Sequence, residues 1–330
     1  MRNKISRALA VVAALGVALP LPAGTASASP GRDKRGVFTN TAGQVEYEVH
    51  LPPGYQPDRP LPVVVAVHGC SMTGFGDNSM RDTTRFNEVA DAKGFIVVYP
   101  TQDRARNAKG CWNWDKPEHQ HRGGGEPSLV TGATQDVIQR YHADPKRVHV
   151  AGASSGAGMA VILAVTYPDV YASAVSLAGG EYAFDKVLEN PLLVSPVDTA
   201  KLAYAEMGPR ARQLPVMVVQ GTDDRTVPAL MADRLVEHWA AIDDLAVDGK
   251  LDGDVDDKPD ATEQVAKPGE HPYTRTSYTA RDGGAPLIEK YLVKGMEHKW
   301  PGGGTGLFAD PMGPDITAII WDFFATRHLP

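Results

Sequence analysis

The sequence has 330 residues, with 33 Lys and Arg against 40 Asp and Glu, a formal net charge of −7. That length allows one large α/β domain or two small ones, and no Pro/Ser/Gly-rich linker divides it, so one is expected. The acidic balance argues against nucleic acid or an anionic membrane as a partner. Residues 1–28 carry a basic leader (Arg2, Lys4, Arg7), an apolar run from Ala8 to Leu21 and the small residues Ala26, Ser27 and Ala28. This is the pattern of a secretory signal peptide, too short in its apolar core for a comfortable membrane span and interrupted by Pro20 and Pro22. Its removal would take the charge from −7 to about −10 and leave residues 29–330 as a soluble, extracellular, monomeric domain with no membrane partner.

Val45, Tyr47, Val49 and Leu51 alternate with Glu46, Glu48 and His50, which predicts a half-exposed edge strand ending at Pro52. Residues 62–67 are continuously apolar, as a strand covered on both faces would be, and run into His68-Gly69-Cys70. Phe86, Val89 and Ala90 lie at helical spacing within residues 80–93, Gly94 ends that helix, and residues 95–99 form the next buried strand. The rhythm continues with a helix over 134–141, strands over 148–151, 172–177 and 215–220, and helices over 157–167 and 229–242. Two more strands, 274–279 and 288–293, precede an amphipathic helix over 316–327. Residues 181–213 read as an irregular insertion and 243–270 as an acidic, proline-containing surface loop. Strands alternating with helices mean an α/β fold, a mostly parallel sheet with helices on both faces.

The strand at 148–151 enters Gly152-Ala153-Ser154-Ser155-Gly156 and then helix-compatible small residues. Strand, Gly-x-Ser-x-Gly and helix together are the nucleophile elbow of an α/β-hydrolase, with Ser154 as nucleophile and the backbone N–H of Ser155 placed as an oxyanion donor. In that fold an acid and then a histidine follow the serine, each just beyond a strand. Asp223 and Asp224 follow the strand at 215–220, and of the ten histidines only His298 sits late, after a strand, in a Gly-rich loop.

These segments resemble the catalytic domains of polyhydroxybutyrate depolymerases and their esterase relatives, which include feruloyl and acetyl-xylan esterases. The resemblance spans most of the mature chain. Val67-His68-Gly69-Cys70 is similar to the family's oxyanion loop, Cys111-Trp112-Asn113-Trp114 to its Cys-Trp segment, and Asp144-Pro145-Lys146-Arg147-Val148 to its lead into the elbow. Asp224-Arg225-Thr226-Val227-Pro228 matches the acid loop, selecting Asp224 over Asp223, and His298-Lys299-Trp300-Pro301-Gly302-Gly303 matches the base loop. The resemblance implies a Ser154–His298–Asp224 serine esterase acting through an acyl-enzyme on a polyester or small ester, with the N–H groups of Cys70 and Ser155 as oxyanion hole. Trp112, Trp114 and Trp300 are candidate pocket residues, as is His68, for which a loop-fixing role is the preferred reading. Cys70 and Cys111, the only two cysteines, are expected to pair in an exported chain, where the resemblance also places a bridge.

Ser155 and Ala157 stand where the family usually has small Ala and Gly, and Gln220 where a His is common. About thirty residues follow His298 with no linker or polymer-binding module among them, so attack on crystalline polyester is expected to be poor. Asp252, Asp254, Asp256 and Glu263 have the spacing of calcium-loop ligands, but Asp257 stands where that loop needs glycine, which favours a solvated loop and no metal. No cofactor is expected. The competing readings are a non-catalytic hydrolase-like binding protein, a feruloyl or acetyl-xylan esterase, and a peptidase of the same fold.

Overall fold

The computed structural model describes residues 31–190 and 193–330; the leader expected at residues 1–28 lies outside them. Ten strands form one sheet: β1 (Arg32–Asn40), β2 (Gly43–Leu51), β3 (Val63–Val67), β4 (Ile96–Thr101), β5 (Val148–Ala153), β6 (Ser173–Leu177), β7 (Val216–Gly221), β8 (Ala261–Val265), β9 (Tyr273–Tyr278) and β10 (Ile288–Val293). Their spatial order is β1-β2-β4-β3-β5-β6-β7-β10-β9-β8. The six strands from β4 to β10 in that order run parallel, and an antiparallel pair closes each edge. Among the described residues eight α-helices accompany them: α1 (Met80–Thr84), α2 (Phe86–Lys93), α3 (Gly125–Arg140), α4 (Ser155–Thr166), α5 (Phe184–Glu189), α6 (Pro196–Met207), α7 (Leu230–Asp248) and α8 (Ile316–Ala325).

The continuous apolar runs are explained by two cores. Val63, Val65 and Val67 of β3 face a cluster completed by α3, α4, α6 and α7, while Val64 and Ala66 face a second cluster completed by α1, α2 and α8. Side chains alternate across a strand, so a strand buried on both faces has no polar positions to spare. In the second cluster the rings of Phe95 and Trp321 stack with centroids 4.0 Å apart, fixing α8 against the sheet.

The edges depart from the sequence-based expectation. β2 is not an edge strand, because β1 lies outside it in full register, from Arg32 opposite Leu51 to Asn40 opposite Gly43. β1 carries charges rather than an apolar period, which hides it from pattern reading and suits an exposed strand that must not pair with another chain. The polar face of β2 is exposed at Gln44 and Glu46 as expected, but its second half is covered. Glu48 is buried under Arg35 and Arg81, and the ring of buried His50 lies between Asp33 and Asp91 at 2.7 Å each.

Residues 80–93 form two helices rather than one, broken at Arg85, whose φ of 60° is left-handed. Residues 181–213 are not irregular. They hold α5 and α6, the latter started by a capping box between Ser195 and Asp198, and α6 packs against α7 and α4. The stretch 243–270 is also more ordered than expected: α7 continues to Asp248, Gly249 caps it at φ 84°, and β8 pairs with β9.

Candidate active site

β5 delivers Ser154 at φ 55°, ψ −122°, a conformation that a residue with a Cβ adopts only under constraint. Three features impose it. The Ser154 amide donates to the Leu177 carbonyl at 2.9 Å, and α4 starts at the next residue. The flanking glycines let α4 approach the sheet. A Cβ at Gly152 would stand 2.0 Å from the Gly156 carbonyl oxygen, and one at Gly156 would stand 2.2 Å from that of Val67. The Ser155 N–H, at the first helical position, has no acceptor within its own helix.

The loops after β7 and β10 are laced together. Thr222 N donates to Val293 O (2.9 Å), Asp223 N to Met296 O (3.0 Å) and Gly295 N to Thr222 Oγ1 (2.8 Å). Parallel pairing of β7 with β10 therefore brings Asp224 to His298 across 74 residues of chain. His298 Nδ1 donates to Asp224 Oδ2 at 2.7 Å. That oxygen also accepts from Gln220 Nε2 at 3.2 Å, while Oδ1 accepts from the amides of Thr226 and Val227 at 2.8 Å each. The Asp224 side chain is fully buried, so all four donors act on it away from bulk water. With Nδ1 donating to a carboxylate, Nε2 of a neutral His298 is left as the acceptor. Asp223 is exposed and accepts only from its neighbour, the Thr222 hydroxyl.

Ser154 and His298 line one cavity of about 220 Å³, together with Gly69 and Cys70. Its other walls are largely apolar: Met72, Met80, Leu177, Trp300 and Phe308, with Thr83, Thr226 and Lys299 adding polar groups. A Cβ at Gly69 would lie 3.1 Å from that of Ser154, which measures how closely the loop after β3 approaches the elbow. Cys70 is joined to Cys111 by a disulfide.

The four candidate pocket residues separate. Trp300 is on the cavity wall, its Nε1 donating to Thr317 Oγ1 at 2.9 Å. His68 and Trp112 are buried beneath the loop with ring centroids 5.4 Å apart, not on that wall. Burial lowers the His68 pKa to about 4, so the ring is neutral. Trp114 lies over Gly158 of α4 and stacks on Phe184 with centroids 4.6 Å apart. Met72, Met80, Thr226 and Phe308 were not singled out by sequence, and Gln220 only as a departure from the family's usual His. Thr226 and Gln220 flank the acid and were within reach of the motif, whereas nothing local marks Met72 or Met80.

The carboxylates weighed for calcium do not assemble as that spacing would require. Asp256 accepts from the amide of Lys258, Glu263 lies on β8 opposite Arg275, and Arg281 donates to Asp254 at 2.7 Å. Asp244, Asp252 and Asp254 are the one group among the described residues with three potential ligand atoms within 4.8 Å of one another. Asp244 itself accepts from the amides of Gly253 and Val255, so its oxygens secure the turn after α7. Among the described residues no helix is long and apolar enough to cross a membrane.

Known proteins resemble this chain in sequence and in fold. A poly(3-hydroxyalkanoate) depolymerase C of Paucimonas lemoignei is 29% identical over 275 residues, covering 80% of this chain and 60% of that protein. Feruloyl esterase B of Neurospora crassa is 35% identical over 122 residues, 37% of this chain and 40% of the relative, and acetylxylan esterase A of Emericella nidulans is 33% identical over 118, 36% and 37%. The chain thus aligns with less than two thirds of the length of each of these relatives. An acetyl xylan esterase structure from Aspergillus awamori superposes with a TM-score of 0.67 at 20% identity, covering 88% of this chain and 99% of that one, which establishes the α/β-hydrolase fold. The family model for esterase PHB depolymerases matches residues 45–249, from β2 through the elbow and acid loop to the end of α7, and the chain belongs to that family.

Proposed function

We propose that the protein is a serine esterase. His298 Nε2 takes the proton of Ser154 as its Oγ attacks an ester carbonyl, and Asp224 orients the imidazole and stabilises the imidazolium. The N–H groups of Cys70 and Ser155 hold the tetrahedral oxyanion, a term of about 3 kcal/mol per donor. The alcohol leaves with the proton from His298, and water, deprotonated by the same imidazole, releases the acid from Ser154. The observation that carries this reading is the buried Asp224 bonded to a histidine that shares a small cavity with Ser154.

The largely apolar cavity suits a short acyl group better than a charged or extended one. With the family membership and the depolymerase relative, this favours 3-hydroxyalkanoate polyesters or oligomers as substrate. Turnover of p-nitrophenyl esters of increasing acyl length, 3-hydroxybutyrate oligomers, methyl ferulate and acetylated xylan, with fluorophosphonate labelling at Ser154, tests both levels. Labelling with a preference for ferulate or acetylated xylan would keep the chemistry and move the substrate to plant polysaccharide esters. No labelling and no turnover would leave a binding protein.

Export fits the same reading, because the Cys70–Cys111 bridge needs an oxidising compartment. The mass of the secreted protein should correspond to residues 29–330, one catalytic domain; retention of residues 1–28 would contradict it.

A further inference from the structure

Gly69 O and Cys70 N–H belong to one planar peptide, so whatever fixes the direction of the carbonyl fixes the N–H pointing the other way. His68 Nδ1 lies 2.8 Å from Gly69 O and must donate to it. On the other side of the ring, Nε2 accepts the backbone N–H of Gln102 at 3.0 Å. One tautomer satisfies both contacts, and burial keeps the ring neutral and in that tautomer. Gln102 is buried and oriented in turn: its side-chain Nε2 donates to Glu126 Oε1 at 2.6 Å and to Cys111 O at 3.0 Å.

Glu126 is the anchor of this chain of contacts. It is 1% exposed, and its partners are N–H donors rather than a cation: Gln102 Nε2, Asn113 Nδ2 at 2.5 Å and Asn113 N at 2.8 Å. Its carboxyl group sits in the first turn of the 16-residue α3, where the helix dipole favours an anion. The same segment reaches the other oxyanion residue, since Trp112 N donates to Ser155 Oγ at 3.3 Å, a contact that depends on the serine found where the family usually has a small apolar residue.

We propose that Glu126, Gln102 and His68 form a buried relay of positioning residues that sets the Gly69–Cys70 peptide, and with it the Cys70 N–H, toward the oxyanion. The relay rests on the reading of Cys70 as an oxyanion donor. None of its three members touches substrate. Its signature is therefore a loss of transition-state binding with substrate binding preserved.

The test compares wild type, His68→Leu, His68→Asn and Glu126→Gln with p-nitrophenyl butyrate and with phenylboronic acid, whose tetrahedral serine adduct mimics the transition state. His68→Leu and Glu126→Gln should each lower kcat and boronate affinity by roughly 10- to 100-fold with KM changed less than about twofold. In His68→Asn the amide N–H replaces Nδ1–H, and most of the loss should be recovered. Because a buried variant can misfold, the ¹⁵N spectrum of histidine-labelled wild type supplies an independent arm, with His68 expected as the neutral Nδ1–H tautomer from about pH 5 to 8. An Nε2–H or charged His68, or folded variants with wild-type kcat and boronate affinity in an enzyme that still labels at Ser154, overturns the relay alone. A wild type that neither labels nor turns over ester overturns the proposed function and the relay with it.

Discussion

Asp224 and His298 meet because two loops leave adjacent parallel strands and bond to each other's backbone, whereas the Gly69–Cys70 peptide is held by a disulfide, a buried histidine and a carboxylate 56 residues away in sequence. One side of the cavity follows from topology: once β7 pairs with β10, the acid and base are close. The other side is made from long-range contacts that no strand pairing dictates. In the proposed mechanism proton transfer relies on the sheet, and oxyanion placement on the loops laid over it.

The strongest way to break this contrast is to remove the reacting groups. Ser154→Ala, His298→Ala and Asp224→Asn should each lower kcat by roughly ten-thousand-fold with unchanged circular dichroism, and double variants should lose little more, because the three act as a unit. Asp223→Asn should stay within about twofold of wild type, since its exposed carboxylate contacts only Thr222. A collapse in Asp223→Asn with a normal Asp224→Asn would reverse the assignment.

Cutting the bridge probes the loop-held side. The Cys70–Cys111 link spans 41 residues, and Cys111→Ser should cost about 4 kcal/mol of stability by the chain-entropy relation. In protein that is still folded, kcat should fall more than KM rises, because the Cys70 amide loses one of its constraints. Two free thiols in the denatured, unreduced secreted protein would end this line of reasoning.

Acid should unfold the protein through histidines remote from the proton-transfer side. Burial lowers the pKa of His68 to about 4 and those of His149 and His238 to about 3, while it raises that of Asp243 to about 8. For the histidines the folded values lie below the unfolded value of 6.5, so their contribution is complete above about pH 6.5 and is lost as pH falls toward 4. Asp243 works in the opposite sense, since its neutral form is favoured in the fold. The net loss should be about 2 kcal/mol per pH unit between pH 6 and 5, the slope for between one and two protons, and Asp243→Asn should steepen it. Denaturant midpoints that do not move across this range would contradict the buried, neutral state of these rings.

The smallest effect sharpens the topological side. Gln220 supplies one of the four donors on Asp224 and also bonds Val227 O at 2.9 Å. Gln220→Leu should cost about 1–2 kcal/mol of transition-state stabilisation, roughly five- to thirty-fold in kcat, with Asp224 still held by two amides and His298. Wild-type kcat in this variant would mean that the remaining contacts suffice.

The same division explains what can be read from the sequence. The elbow, acid loop and base loop each carry local turn chemistry just after an apolar strand, so Ser154, Asp224 and His298 are legible in order, and the parallel core is legible from its continuous apolar runs. Charged β1 has no period to detect, and β8 is an exposed strand of mixed polarity that gains its order from pairing with β9. The start of α6 did have a signal, Ser195-Pro196-Val197-Asp198, which a reading by apolar period passes over. Glu126 and Gln102 are polar residues whose burial depends on contacts far along the chain, and no local pattern separates them from surface residues of the same type.

The clearances at the elbow also say where the proposed acyl range can be altered by design. At 152 and 156 any side chain would collide with backbone oxygen about 2 Å away, so a library gains nothing there: every variant must first push α4 off the sheet. Met72 and Met80 instead meet the cavity with unbranched thioethers, which can be shortened or repacked without moving backbone. Variation at 72 and 80 should give shallow, graded changes in preferred acyl length, while 152 and 156 admit glycine alone.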